Sequence, residues 1–294
     1  MKRKVMIIMN PKAGKGTAKT ALFTICDKFT AMGDFVSVFV TQYRNHAREL
    51  SQQLGASFDI LVCMGGDGTW NEVINGMMEL RDKPQLCYLP SGTVNDFAST
   101  LKLPKSASKM MELVEPYRPF PCDIGKFNNH YFTYVAAFGI FTEISYSTPQ
   151  NSKNSFGKIA YFMEGIKQLT KIPRYHIKAY VDDELIEDDF VFGCISNSKY
   201  VGGFTSVSAK YAELDDGLFE ILLVRTPNNP LDVQNILAAL LKQEVNEHWM
   251  YFRKSGTIRI ESEELIPWTL DGEDGGETLT ATIENKNKAV TILV

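Results

Sequence analysis

The sequence lacks the features that mark several classes of protein. No apolar run approaches the roughly 18 to 20 residues that a membrane-spanning helix needs, and residues 1–10 lack the apolar core and cleavage site of a signal peptide. The five cysteines are widely spaced without a C-x-x-C pair, and the four histidines are scattered. Disulfides and a zinc or histidine metal centre are therefore not expected. We expect a cytoplasmic protein with reduced thiols.

Positive charge is also scarce. The chain has 31 Lys and Arg against 35 Asp and Glu, a formal net charge of -4. No bulk field attracts nucleic acid, so no nucleic-acid partner is expected, and any contact with acidic lipid must be local. No internal repeat or low-complexity tract is present. With 294 residues, 44% of them hydrophobic, the chain is long enough for two compact domains.

The chain divides into two patterns. In the first part, apolar β-rich runs alternate with helical patterns at 17–32, 44–54 and 69–80, which predicts an α/β domain with a parallel sheet. Three prolines between Pro116 and Pro121 mark a boundary. Beyond them, short strands joined by Asp- or Gly-rich turns predict a mainly antiparallel β-sandwich or barrel-like domain, interrupted by helical stretches at 158–171 and 231–245. We therefore predict domains at 1–121 and 122–294.

Ligands of a parallel sheet bind at the carboxyl ends of its strands, and the loop after the first strand is rich in small residues. It runs from Asn10 to Gly16 and leads into a helix, so its backbone N–H groups could hold a phosphate. It is not a P-loop, because Met9 stands where that motif needs its first glycine. A tight strand-to-helix turn is the competing interpretation.

Two further loops follow the third and fourth predicted strands. The second loop, Gly65–Thr69, offers glycines for close backbone approach, Thr69 as a helix cap and Asp67 as a carboxylate for Mg²⁺ on substrate phosphates. The third loop, Pro90–Ala98, offers Gly92 and Thr93 for phosphate oxygens, and Asn95 and Asp96 to orient metal-bound water or a nucleophile. A plain N-capped helix after a glycine turn is the alternative for the second loop.

The three loops, NPKAGKG, GGDGTWNE and PSGTVNDFA, resemble in order and spacing the nucleotide-site motifs of the diacylglycerol kinase catalytic domain. The chain is similar along essentially its whole length to the bacterial soluble lipid kinases. That resemblance implies an α/β nucleotide domain joined to a β-rich domain, with ATP and Mg²⁺ in the cleft between them. Of the possible acceptors, the resemblance points most strongly to diacylglycerol, although relatives phosphorylate phosphatidylglycerol, sphingoid bases or ceramide.

The resemblance also assigns roles to individual residues. ATP would be held by Asn10, Pro11, Lys12, Ala13, Gly14, Thr41, Gly65, Gly66, Asp67, Gly68, Thr69, Trp70, Asn71 and Thr93. Asp67, with Asp96 and Asp123, would form a carboxylate and water network around the catalytic Mg²⁺. A second, structural Mg²⁺ would bind the Asp216 carboxylate and the carbonyl oxygens of Glu213 and Leu218. From the residues alone, the loop from Glu213 to Leu218 is an Asp-Gly hairpin turn.

The catalytic base would lie in the acidic turn Asp271-Gly272-Glu273, which matches the family's Asp-Gly-Glu. A solvated hairpin is the simpler interpretation of this turn. Side chains alternate along an extended chain, so we expect Asp271 and Glu273 on the same side. The sequence leaves open which of the two accepts the proton of the lipid hydroxyl. Lys15 and Lys158 are candidate extra cations.

A lipid kinase without a membrane span must dock on the membrane surface, and the stretch 155–174 is the candidate face. Its helical stripe comprises Ile159, Phe162, Met163, Ile166 and Leu169, beside Lys158, Lys167, Lys171 and Arg174. A plain core helix is the alternative. NAD kinase, whose sites also resemble Gly-Gly-Asp-Gly-Thr, and a nucleotide-binding regulator without catalysis are the competing functions. A homodimer formed through a β edge is a further prediction about partners.

Overall fold

The structure is a computed structural model, and it describes residues 2–13, 18–140, 173–201, 204–205 and 209–294. The predicted docking stripe and the helical stretch at 158–171 therefore lie outside the described residues, as do Gly14 and Lys15. No helix among the described residues is long and apolar enough to cross a membrane.

The first half alternates strands and helices. Its strands are β1 (Lys4–Met9), β2 (Phe35–Val40), β3 (Ile60–Gly65) and β4 (Gln85–Pro90), and its helices are α1 (Ala18–Ala31), α2 (His46–Leu54), α3 (Asp67–Met77), α4 (Asp96–Thr100) and α5 (Ala107–Val114). A short 3-10 turn, Gly55–Ser57, follows α2. Strands β1 and β3 are almost entirely buried, because helices cover both faces of the sheet.

All pairings among β1 to β4 are parallel, in the order β4-β3-β1-β2. Helices α1 and α5 pack on one face, where Ile25, Phe29 and Met110 join alternate residues of the strands. Helices α2 and α3 cover the other face. Since the strands run in the same direction, the loops after β1, β2, β3 and β4 emerge at one edge of the sheet.

The second half is mostly antiparallel. Its elements are β5 (Pro119–Phe127), β6 (His130–Phe132), β7 (Val135–Gly139), β8 (Tyr175–Val181), β9 (Glu184–Ser196), β10 (Tyr200–Val201), β11 (Phe204–Thr205), β12 (Phe219–Arg225), α6 (Pro230–Lys242), β13 (Met250–Ser255), β14 (Thr257–Leu270) and β15 (Glu273–Leu293). The apolar runs at 257–261, 265–270, 277–283 and 289–293 predict four short strands, which the structure joins in pairs as β14 and β15. Irregular pairing at Glu261–Ile266 and at Lys286–Val290 interrupts the ladder without ending the strand.

The last strand joins the two halves. Ile292 of β15 pairs in parallel with Leu86 of β4. Val290 and Ile292 are buried in a cluster that holds residues of both halves, and Leu293 is buried in the cluster under α1 and α5. Strand β5 pairs with β15 on both sides of residue 121, so the predicted boundary falls inside a strand. The described strands thereby form one 13-stranded sheet and one two-stranded sheet.

Candidate active site

The loop after β1 is fastened to helix α3. Asn10 donates from Nδ2 to Thr69 Oγ1 at 2.9 Å, and its own Oδ1 accepts the backbone N–H of Lys12 at 2.9 Å. The Thr41 N–H donates to the Met9 carbonyl at 2.9 Å, which holds the end of β2 beside the same loop. Three residues of the first motif therefore line one region of the cavity together with Thr41: Asn10, Pro11 and Lys12.

Helix α3 begins at Asp67, with Gly66 as its N-cap. Thr69 is thus not the cap that we expected, and its hydroxyl instead accepts the bond from Asn10. A Cβ on Gly66 would lie 3.1 Å from Gly92 Cα, and one on Gly65 would lie 2.5 Å from Thr69 Cβ. A side chain at Gly66 would press against the third loop, and one at Gly65 would collide with Thr69 of its own loop, so both positions disfavour a Cβ.

Asp67 belongs to the second loop, and its carboxylate contacts the third loop. Its Oδ2 accepts the Asn95 N–H at 2.7 Å, while its Oδ1 is buried without a hydrogen-bond partner. Burial raises the pKa of Asp67 to about 7, the Asn95 N–H opposes this shift, and the charges of Asp96 and Asp271 add to it. A buried carboxylate oxygen without a partner suits a hard cation. Asp67 therefore fits Mg²⁺, and the buried Asp96 at the start of α4 is the neighbouring acid.

The structure corrects the expectation for Asp123. This fully buried residue accepts the Gly217 N–H at 2.7 Å through Oδ2, and the Lys288 N–H at 2.7 Å and Asn287 Nδ2 at 3.0 Å through Oδ1. Its N–H donates to the Leu214 carbonyl at 2.7 Å. Oδ2 thus holds the 213–218 loop and Oδ1 holds β15, and the hydrogen bonds of this side chain do not include Asp67 or Asp96.

The 213–218 loop already contacts a cationic side chain, that of Lys254. Lys254 donates to Asp216 Oδ2 at 2.9 Å and to the Tyr211 carbonyl at 3.0 Å, and Asp216 Oδ1 accepts the Leu218 N–H at 3.0 Å. Within the described ranges, no group of three or more His, Cys, Asp or Glu side chains is arranged to hold a metal ion. The structural Mg²⁺ site at Glu213, Asp216 and Leu218 remains a prediction, in which the ion would share Asp216 with Lys254.

The side chain of Trp70 belongs to the hydrophobic core. Its side chain has no exposed surface, and its ring stacks on Tyr88 and Phe97 with centroid distances of 4.7 Å and 5.3 Å. Its backbone N–H donates to the Gly66 carbonyl at 3.0 Å. The position of Trp70 inside the second motif is explained by packing, because α3 directs this residue inward.

A cavity of about 910 Å³ lies along these elements. Of the predicted ATP-binding residues, it is lined by Asn10, Pro11, Lys12, Thr41, Gly68, Thr69 and Asn71. Thr93 is exposed at the tip of its loop and does not line the cavity. The cavity also contacts residues that sequence reasoning missed: Gln42, Tyr43, Arg44, Asn45, Arg48, Glu72, Asn75, His130 and Tyr131. The first five follow β2 directly or lie on α2, so the carboxyl-end rule could have found that segment.

The acidic turn forms a two-residue hairpin between Leu270 and Glu273, with positive φ at Asp271 (54°) and Gly272 (80°). These angles are those of a type I′ turn. The backbone therefore reverses at Asp271 instead of staying extended. The expectation that Asp271 and Glu273 share one side is wrong for this reason.

Asp271 points into the protein and is 4% exposed. Its carboxylate accepts the backbone N–H groups of Thr133, Tyr134 and Val135 at 2.7, 2.9 and 3.1 Å and the Thr133 hydroxyl at 2.8 Å. Asn71 Nδ2 donates to the same carboxylate at 2.8 Å. Burial raises the pKa of Asp271, and these donors act in the opposite direction. With its oxygens occupied, Asp271 cannot reach a substrate and serves to position the turn.

Glu273 points into the cavity. Its carboxylate is 53% exposed and lies 3.4 Å from Arg44 Nη2. A Cβ on Gly68 would be 3.2 Å from Glu273 Oε1, which puts the carboxylate over the first turn of α3. The structure thus separates the two acids of the turn: one is a buried anchor and the other faces the cleft.

Two family models match this chain. A family model described as the diacylglycerol kinase catalytic domain matches residues 4–127. A second model, described as the YegS C-terminal NAD kinase beta sandwich-like domain, matches residues 137–294. The chain belongs to the diacylglycerol kinase family. The resemblance seen in the three loop motifs is thereby confirmed.

Relatives in the diacylglycerol kinase family align with nearly the whole chain. The diacylglycerol kinase of Staphylococcus saprophyticus is 32% identical over 94% of this chain and 91% of its own. That of Staphylococcus epidermidis is 31% identical over 99% and 92%. A crystal structure of a diacylglycerol kinase from Bacillus anthracis superimposes with a TM-score of 0.78 at 26% identity, covering 99% of this chain and 96% of that one. These matches show a two-domain kinase with a mostly antiparallel second domain.

Proposed function

We propose that this kinase transfers the γ-phosphate of ATP to a lipid hydroxyl, with diacylglycerol as acceptor and phosphatidic acid as product. The position of Glu273 carries the proposal: an exposed carboxylate over Gly68, at the N-terminal turn of α3. A backbone suited to anions and a carboxylate suited to a proton then face the same space, as phosphoryl transfer to an alcohol requires. The names of the relatives support the choice of acceptor.

The first turn of α3 is the proposed phosphate site. The first N–H groups of a helix have no intrahelical partner, and its N-terminus favours anions. Helix α3 presents the N–H groups of Asp67, Gly68 and Thr69 in this way. Lys12 also lines the cavity and adds a positive charge for phosphate oxygens. We expect the triphosphate to lie between the loop after β1 and α3.

Asp67 is the proposed ligand of the catalytic Mg²⁺, because one oxygen of its carboxylate is buried without a partner. When bound, Mg²⁺ would neutralise charge on the transferred phosphoryl group and its neighbour. Protein sites usually give this ion one or two carboxylates and leave the remaining positions to phosphates and water. Asp96 would be the second acid.

Glu273 is the proposed general base. Its carboxylate accepts the proton of the lipid hydroxyl as that oxygen forms a bond to the γ-phosphorus, and the bond from phosphorus to the β–γ bridging oxygen breaks to release ADP. Arg44, 3.4 Å from the carboxylate, orients it towards the cleft. Asp271 acts through the turn, by fixing where Glu273 begins.

A lipid acceptor implies contact with a membrane surface, and we propose that the protein is a cytoplasmic enzyme that docks peripherally. Of the basic residues in the predicted docking face, Arg174 is described, and its guanidinium forms an ion pair with Asp189. Lys167 and Lys171 carry this part of the proposal. Changing both to Glu should reduce sedimentation with anionic vesicles while ATP binding stays unchanged. Equal sedimentation of variant and parent would contradict docking by this face.

Transfer of labelled γ-phosphate from Mg·ATP tests the activity. The acceptors are diacylglycerol, phosphatidylglycerol, ceramide and sphingosine in mixed micelles, with NAD in solution because the second domain is similar to a NAD kinase sandwich. Glu273→Gln should lower turnover by about 10²-fold or more. Glu277→Gln is the matched control, an exposed glutamate four residues along the same hairpin.

Each outcome of this assay has a distinct meaning. Label in phosphatidic acid, lost in Glu273→Gln and kept in Glu277→Gln, supports the whole proposal. Label in another lipid keeps the mechanism and changes the acceptor. Label in NADP alone would overturn the lipid assignment, and full activity of Glu273→Gln would remove the proposed base.

A further inference from the structure

The segment after β2 forms an aromatic surface at the cavity. Tyr43 is 58% exposed and lines the cavity together with Asn10 and Thr69. Its ring stacks on His46, with the ring centroids 4.5 Å apart and the planes at 15°. One face of the tyrosine is therefore backed by a second ring, and the described ring contacts of Tyr43 do not extend to its other face.

Hydrogen bonds fix the orientation of this stacked pair. The Tyr43 hydroxyl donates to Glu49 Oε2 at 2.7 Å. The Gln42 N–H donates to His46 Nδ1 at 3.1 Å, which holds the imidazole ring against the backbone. A freely rotating surface tyrosine would have none of these restraints.

The bend that carries the pair is also tied to the phosphate-site helix. Glu72 of α3 accepts the Asn45 N–H at 2.9 Å and the Ala47 N–H at 3.1 Å. At the other end of the bend, the Thr41 N–H donates to the carbonyl of Met9, the residue before the first loop. The ring therefore has a defined position relative to the first turn of α3, where the triphosphate is proposed to bind.

We infer that Tyr43, backed by His46, is the stacking platform for the nucleobase of the phosphate donor. The inference rests on the proposed use of ATP by this site. A nucleobase needs a flat apolar face beside the phosphate site, and a pre-oriented aromatic ring provides one at little entropic cost. Stacking is tolerant of base identity because every base has a π-face. The platform should therefore contribute affinity for the base without selecting strongly between ATP and GTP.

Comparing a nucleotide with its base-free analogue separates the platform from the phosphate site. We would measure the dissociation constants of Mg·ATP and Mg·tripolyphosphate by calorimetry on the full chain. Tyr43→Ala should weaken ATP binding roughly tenfold and leave tripolyphosphate binding unchanged. Tyr43→Phe should bind ATP like the parent, since the ring remains and the Glu49 bond alone is lost.

Tyr180→Ala is the matched control, because this exposed tyrosine also donates its hydroxyl to a glutamate, Glu261, and does not line the cavity. It should change neither constant. Equal weakening of both ligands in Tyr43→Ala would show that the bend, and not the ring, supports binding, and would overturn the inference. Unchanged ATP binding in Tyr43→Ala would also overturn it, as would a parent protein that binds no ATP.

Failure of the inference is distinguishable from failure of the proposed function. The proposed function fails if no labelled lipid forms, even when ATP binds and depends on Tyr43. The inference fails on the binding constants alone, even when the parent phosphorylates diacylglycerol. Melting curves of the tyrosine variants verify that each is folded at the temperature of the measurement.

Discussion

Asn71 of helix α3 donates a 2.8 Å hydrogen bond from its Nδ2 to Oδ2 of Asp271, two hundred positions later in the hairpin turn of the β-rich half. Asn71 Nδ2 also lies 3.3 Å from the Tyr131 carbonyl. The helix that presents the proposed phosphate site and the turn that presents Glu273 are thus joined directly. The relative position of the phosphate site and the proposed base depends on this contact.

Asp271→Asn should destabilise the protein. An amide keeps one acceptor oxygen but puts an NH2 group in place of the other, so the buried donors that face that position, from residues 133–135 or Asn71, are left unpaired. We expect a loss of about 2 to 4 kcal/mol in the free energy of unfolding, measured by urea titration. Asn71→Ala should cost less, about 1 to 2 kcal/mol. A stable Asp271→Asn protein that lacks only turnover would instead indicate a direct catalytic role.

Arg44→Ala should lower kcat a few-fold without lowering stability. The pair with Glu273 is exposed on both sides, at 75% and 53%, and exposed ion pairs contribute little to folding. The effect of Arg44 should therefore be confined to orienting the Glu273 carboxylate. Steady-state kinetics and melting temperatures test this expectation, with Arg81→Ala as an exposed control away from the cavity. A large drop in melting temperature would refute the positioning role.

The stability of the metal-free protein should fall as pH rises from about 4 to 7. Burial raises the pKa of Asp67 to about 7, above its value in the unfolded chain. The folded protein then binds more protons than the unfolded one in that interval, so stability is fully present at the low end and is lost as pH approaches 7. Asp67→Asn should flatten the dependence, measured as melting temperature in EDTA.

Glu220 contributes to the same pH dependence. It is 1% exposed, and burial raises its pKa to about 7 against the opposing charge of Lys254. Asp67→Asn should therefore remove part of the slope and the double variant with Glu220→Gln should remove more. A slope that neither change reduces would contradict the assignment of these two groups.

Trp70→Ala should act through stability. The buried indole stacks on Tyr88 and Phe97, and its removal leaves a cavity that costs about 3 to 5 kcal/mol. Trp70→Phe keeps much of the packing and should cost less. In conditions where both variants are folded, their ATP dissociation constants should match the parent's. Selective loss of ATP binding in the Phe variant would restore a direct contact with the nucleotide.

The sequence alone determined the three loops of the site. Their glycines and small polar residues follow apolar runs, and the rule that ligands bind at the carboxyl ends of parallel strands identified Asp67 and the loop at Asn10 without knowledge of long-range contacts. These are local properties, since the strand, the loop and the following helix are contiguous in the chain. The family resemblance followed from the same residues.

Only the tertiary structure decided what individual side chains do. Asp271 and Glu273 are two positions apart, yet the reversal at positive φ buries one and exposes the other. Asp123 binds residues about 94 and 165 positions later, and Trp70 faces the core because its helix packs inward. A motif fixes which residues are present, whereas burial and hydrogen-bond partners come from segments distant in the chain. The sequence determined where the candidate site lies, and the packing of the two halves determined which acid faces the cavity.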